Sequence, residues 1–84
     1  MNLFVSNLHW SEVDESVLRD LFSQFGQVIR VHLARDRETD KSRGFAFVEL
    51  TTREDGERAI LELNRTTFHG RTLFVCEAEE RKHD

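Results

Sequence analysis

The octamer Arg43-Gly44-Phe45-Ala46-Phe47-Val48-Glu49-Leu50 places the tightest limit on what this chain can fold into. It reads as a strand, in which successive side chains point to opposite faces. Arg43, Phe45, Phe47 and Glu49 then share one side, and Gly44, Ala46, Val48 and Leu50 share the other. The two sides differ in kind. Small and aliphatic side chains suit a packed core, whereas two phenylalanines beside an arginine suit stacking against bases and pairing with a phosphate.

The rest of the chain has to supply cover for one of these sides. Leu3 to Leu8 is a short apolar alternation that reads as a first strand. Asp14 suits a helix N-cap, Val17, Leu18, Leu21, Phe22 and Phe25 follow at helical spacing, and Gly26 is the expected stop. Val28, Val31 and Leu33 suit a second strand, with Ile29 breaking strict alternation. The charged run from Arg35 to Ser42 reads as a loop, with Asp40 at a left-handed turn position. Thr52 with Asp55 resembles a capping box that opens a second helix, striped by Ala59, Ile60 and Leu63 and stopped at Asn64. Thr72 to Ala78 reads as the last strand.

The element order is therefore β-α-β-β-α-β, the split βαβ arrangement of the α+β class, in which two helices cover one face of a four-stranded antiparallel sheet. The inward set is Leu3, Val5, Leu18, Leu21, Phe22, Val31, Leu33, Ala46, Val48, Leu50, Ala59, Leu63, Leu73 and Val75. No third long helix remains for the other face, which carries Phe4, Phe45 and Phe47. Burial of these rings in a strand covered on both sides is the competing reading, and it lacks a segment to do the covering.

The 84 residues make one domain, read as 1–79, followed by a charged tail at 80–84. A lone cysteine, Cys76, excludes an internal disulfide and fits a reducing compartment. No apolar run has the length of a membrane span, and no leader precedes Leu3-Phe4-Val5, so a soluble intracellular protein is expected. The formal net charge is −4, which counts against a polyanionic partner. Its distribution softens the objection. The two helical regions hold eight acids against three arginines, whereas Val28 to Leu50 holds five basic residues against four acids.

Taken together, these motifs resemble the RNA recognition motif from end to end. Leu3-Phe4-Val5-Ser6-Asn7-Leu8 is similar to the RNP2 hexamer and Arg43–Leu50 to the RNP1 octamer. The spacing between them, Phe22-Ser23-Gln24-Phe25-Gly26 and Gly70-Arg71-Thr72-Leu73-Phe74-Val75 also resemble the family. The compact length is similar to that of the small single-domain RNA-binding proteins of bacteria and of some organelles. The resemblance implies a ferredoxin-like sandwich with sheet order 4-1-3-2. It implies base contacts from Phe4, Phe45 and Phe47, and a phosphate or base contact from Arg43. Phe74 and Cys76 would lie beside Phe4 on the last strand, and Arg30, His32 and Lys41 complete the expected RNA-binding set. The loop from Arg35 to Ser42 and the exit from Glu77 to Arg81 would frame the bound strand. Three positions depart from the pattern: Leu50 stands for the usual aromatic but faces the core, Asp40 for a frequent turn glycine, and the last-strand exit Glu77-Ala78-Glu79-Glu80 is acidic.

Several residues carry two readings. Phe74 either contacts a base or packs against Phe4 or under the C-terminal tail, and His32 either touches RNA or is merely solvated. Trp10, just after the first strand, reads as a packing residue at the helix entrance, with base contact as the alternative. His9, His69 and His83 have no ligand-like spacing with one another or with Cys76, so neither metal nor other cofactor is expected. No nucleophile, base and oxyanion set can be assembled, so an enzyme is not expected. The expectation is a monomeric, non-enzymatic module for single-stranded RNA, with single-stranded DNA as a further ligand. The alternative is a protein-interaction module that uses the sheet or the acidic helical face. The location is cytoplasmic for a bacterial protein, and nucleus, cytoplasm or organelle otherwise.

Overall fold

The computed structural model describes residues 1–78. The expected tail at 80–84, and the last residue of the expected domain, lie outside the described residues. The elements run β1 (Asn2–Ser6), α1 (Glu15–Phe22), β2 (Val28–Arg35), β3 (Ser42–Leu50), α2 (Arg53–Leu63), β4 (Thr67–Phe68), β5 (Arg71–Thr72) and β6 (Phe74–Glu77). The main sheet is antiparallel with order β2-β3-β1-β6, the expected order with β6 as the fourth strand. Helix α1 packs on β2, and α2 packs on β3 and β6, both on one face.

Local chemistry sets the helix ends. Asp14 accepts the Val17 N–H at 2.9 Å, and Thr52 accepts the Asp55 N–H at 3.1 Å, so both expected N-caps form. Asn64 ends α2 and its Oδ1 accepts the Val75 N–H at 3.0 Å, which ties the helix end to β6. Helix α1 is shorter than its apolar spacing predicts. It stops at Phe22, with Ser23 as C-cap, and a turn closed by the Phe25 N–H on the Phe22 carbonyl (3.0 Å) returns Phe25 to the core. Gly26 therefore does not stop the helix. It lies where α2 passes closely, and a Cβ there would come within 2.1 Å of Asp55 Oδ2.

Two strand irregularities also have local causes. Val28 pairs with Leu50 and Arg30 with the adjacent Glu49, so Ile29 is the extra residue of a β-bulge. That is why it breaks the alternation and is exposed. The last predicted strand divides in two. Arg71–Thr72 pairs back on Thr67–Phe68 in a small hairpin, and Phe74–Glu77 alone joins the main sheet. The hairpin turns on His69 and Gly70, with φ of 50° and 77°, the two left-handed residues that a tight two-residue hairpin requires.

The core consists of the inner faces of β1, β3 and β6, with Leu33 of β2, against Leu18, Phe22 and Ala59 of the helices. Leu21, Val31 and Leu63 of the expected inward set pack against this core from its rim, partly buried. Leu8, Val13 and Phe25, in the connections, are buried instead. Phe22 is fully buried and heads the large core side chains. Phe22→Ala should cost about 3–5 kcal/mol, most of the stability of a domain this small. Urea unfolding followed by circular dichroism measures it, and a loss under about 1 kcal/mol would remove Phe22 from that role.

Candidate nucleic-acid interface

The open face is built from cross-strand rows. Register places His32, Phe47, Phe4 and Cys76 side by side across the four strands. A second row holds Phe45, Ser6 and Phe74, and a third holds Arg30, Glu49 and Asn2. The sequence-predicted residues of the sheet therefore converge on one surface. The Phe4 ring lies 5.3 Å from Phe47 and 5.7 Å from Phe45, with both pairs tilted, and Phe45 meets Phe47 edge-on at 6.3 Å. These are favourable aromatic geometries that hold the rings in place while Phe47 stays 41% exposed. Phe74 is 43% exposed and forms no aromatic ring pair with Phe4 among the described residues. Cys76 and His32 are exposed.

Arg43 leans over Phe45, its guanidinium carbon 5.7 Å from the ring centre. Its position depends on Gly44. Register slips between Arg35–Ser42 and Leu33–Ala46, which leaves extra residues in β3 and bulges the strand at its start. Gly44 takes up the bulge at φ +85°, and its carbonyl accepts the Leu8 N–H at 2.9 Å. The octamer's alternation survives because this glycine absorbs the distortion.

The charged residues divide by what they touch. Arg30 lies 4.0 Å from Glu49, an exposed pair of little energetic weight that leaves it facing solvent beside the octamer. Lys41 is exposed in the β2–β3 loop, where Asp40 adopts the expected left-handed conformation (φ 61°). Arg35 is engaged within the protein. It clamps Glu15 of α1 through two hydrogen bonds (2.6 and 3.3 Å) and bonds the Asp40 carbonyl at 3.0 Å. That hydrogen bonding holds the Glu15 carboxyl below the ordinary glutamate range. In the same loop Asp36 accepts the Thr39 and Glu38 N–H groups, which lowers its pKa likewise. Glu77 lies on the helix side of β6, paired to Arg53 of α2 at 3.1 Å, so this acid of the strand exit does not face the open sheet. Residues 79–81 of that exit lie outside the described residues.

Trp10 corrects the packing reading. Leu8 and Val13 take the core positions on either side of the turn, and Trp10 is left 61% exposed. Its indole stacks on His9 at 5.9 Å and 17°. The His9 ring is itself fixed, its Nδ1 accepting the N–H groups of Ser11 and Glu12 at 3.2 Å. Glu12 then bonds His69 of the β4–β5 turn at 2.9 Å, and this bond, with the charge of His9 second, pulls the Glu12 carboxyl down. Arg71 bonds the carbonyl and side chain of Asn7, which sits at φ 63°. Trp10 and Arg71 thus border the sheet. The signal in the sequence was the pairing of buried Leu8 and Val13 around Trp10, which only a three-dimensional loop path makes legible.

Residues 3–73 match the RNA recognition motif, and the chain belongs to that family. It is 45% identical over 83 residues to a cytoplasmic and nuclear polyadenylate-binding protein of Chaetomium globosum, covering 99% of this chain and 10% of that protein. The crystal structure of RNA Binding Protein PG1 superposes with a TM-score of 0.92 at 46% identity, covering 99% of both chains. An Sxl-lethal protein/RNA complex superposes at 0.89 with 33% identity, covering 96% of this chain and 48% of that one. The chain spans between 9% and 50% of the length of the curated relatives it matches.

Alanine at Gly44 would force a side chain into a left-handed conformation and bring its Cβ to 3.4 Å from the Leu8 carbonyl oxygen. Gly44→Ala should therefore lower stability by about 1–2 kcal/mol. Thermal unfolding would register this as a clear fall in Tm, and an unchanged Tm would mean that the bulge relaxes without strain.

Proposed function

We propose that the open sheet face binds single-stranded RNA by stacking bases on Phe4, Phe45 and Phe47, with Phe74 extending the platform. The observation that carries this is the placement of three mutually braced rings on the sheet face opposite both helices. The bound RNA of the Sxl-lethal complex, a relative by fold and sequence, supports the same reading. Arg43 sits above Phe45, where it contacts the phosphate of a base stacked on that ring, and Arg30, His32, Lys41 and Cys76 border the strand's path. No catalytic step is part of this role. Single-stranded DNA offers the same flat base faces and is the control ligand for the sugar.

A protein partner on the sheet or on the acidic helical face is the other reading. The overall charge of −4 favours it. The pairing of Glu77 with Arg53 weakens it, because this acid does not repel a strand on the sheet.

Each stacked base is worth about 1–3 kcal/mol by alanine substitution. Phe45→Ala with Phe47→Ala should therefore weaken binding by about 100-fold or more while the circular dichroism spectrum is unchanged. Fluorescence anisotropy with a random single-stranded RNA pool reads the loss. A folded double variant that binds as the parent does would sink the stacking mechanism, and a parent that binds no pool at low salt would favour the protein partner.

Arg43→Ala should weaken binding to all sequences about equally. It should also reduce the slope of log affinity against log salt by about 0.7, the share of one phosphate contact on a single strand. A shift in sequence preference at constant slope would instead make Arg43 a base reader.

A further inference from the structure

Beside the aromatic platform, a cleft of about 430 Å³ opens between the β1–α1 loop, the start of β3 and the β4–β5 hairpin. Phe4 and Phe45 form its wall on the sheet side, and Trp10, Arg43 and Arg71 surround the rest. We propose that this cleft is a nucleotide position in its own right, in which the next nucleotide of a strand leaving Phe45 stacks its base on Trp10 and sets its phosphate between Arg43 and Arg71. The proposal rests on the RNA reading of the sheet and extends it beyond the strands.

Charge is the first argument. The protein is net negative, yet no carboxylate lines this cleft and two guanidinium groups do. Neither arginine stands in an ion pair among the described residues. Arg71 is held by the neutral oxygens of Asn7, and Arg43 by the ring face of Phe45. Arg43 acts on Asp36 only through space, without an ion pair, so both guanidinium groups keep donors for an anion, with both side chains already ordered.

The second argument is the indole. A tryptophan 61% exposed is a large apolar surface left in water. Here the exposure is imposed by structure, since Leu8 and Val13 on either side are buried and the His9 ring beneath is pinned by two backbone N–H groups. Stacking on His9 fixes the indole plane before any ligand arrives, so little rotamer freedom remains to be lost on binding. The third argument is continuity. Phe45 belongs to both the platform and the cleft, so a strand stacked on one ring passes directly to the other.

Trp10 is the only tryptophan of the chain, which makes the test direct. Oligouridines of two to six nucleotides are titrated while intrinsic fluorescence reports on Trp10 and anisotropy of labelled RNA reports binding independently. The expected result is quenching that sets in only once the oligomer outgrows the sheet. Trp10→Ala should lose the affinity gained by that extension, about ten-fold or more, and bind the dinucleotide as the parent does. Phe45→Ala with Phe47→Ala should lose binding at every length. Binding by anisotropy without quenching, with Trp10→Ala matching the parent at every length, would overturn the cleft and leave the sheet reading intact. Flat anisotropy for the parent would overturn both.

Discussion

The rest of the molecule depends on a sheet whose two faces are treated unequally. Helices α1 and α2 lie on the same side, and the alternation of the strands sorts side chains between that side and water. Ala46, Val48 and Leu50 go under the helices, and Phe45 and Phe47 are left above. Core and candidate ligand surface are thus two sides of the same strands, a single residue of register apart. A slip of one position would put the aromatic rings into the helices and the aliphatic side chains into solvent, so stability and recognition are selected by the same pairing. Leu50 illustrates the division: it departs from the family pattern, but on the buried side, where it alters packing alone.

Much of this was legible in the chain. Strict alternation from Phe45 to Leu50 announced the strand and its two faces, and Asp14 and Thr52 announced both helix starts, because caps and period are local properties. The sheet residues of the site followed, since register on a common face is nearly determined once the strands and their order are assigned. The misreadings came where the chain's path in space decides. Phe25 keeps helical spacing yet lies beyond the helix, because a turn brings it back to the core. Gly26 looked like a stop and proved to be a point of close approach to Asp55, 29 residues away by chain and adjacent in space. The His69-Gly70 turn was hidden because its flanking strands, Thr67–Phe68 and Arg71–Thr72, are only two residues each, too short to show an alternation. Trp10 and Arg71 were undervalued because nothing local shows which way a loop side chain faces.

Charge acts on this protein by placement more than by total. Acids on the helix side of the sheet are partly committed to helical arginines, as in Glu57 of α2 and Glu77 of β6 with Arg53, and Asp55 with Arg58. The guanidinium groups of Arg43 and Arg71 face the other way and stand in no ion pair among the described residues. A net negative chain can in this way present a locally cationic border to the open face, at distances where the helical acids are largely screened. Steering from afar would remain weak, and the aromatic contacts would carry most of the affinity.

The clamp of Arg35 on Glu15 and the Asp40 carbonyl has a consequence for how the β2–β3 loop behaves. A hexapeptide bearing five charged side chains would ordinarily sample many conformations. Here its base is tied to a helix on the far side of the sheet, Asp36 gathers two of its N–H groups, and Asp40 closes it in a left-handed turn. The conformational entropy of the loop is given up when the domain folds, so a ligand reaching Lys41 would meet a shaped edge and not a flap that has still to be ordered.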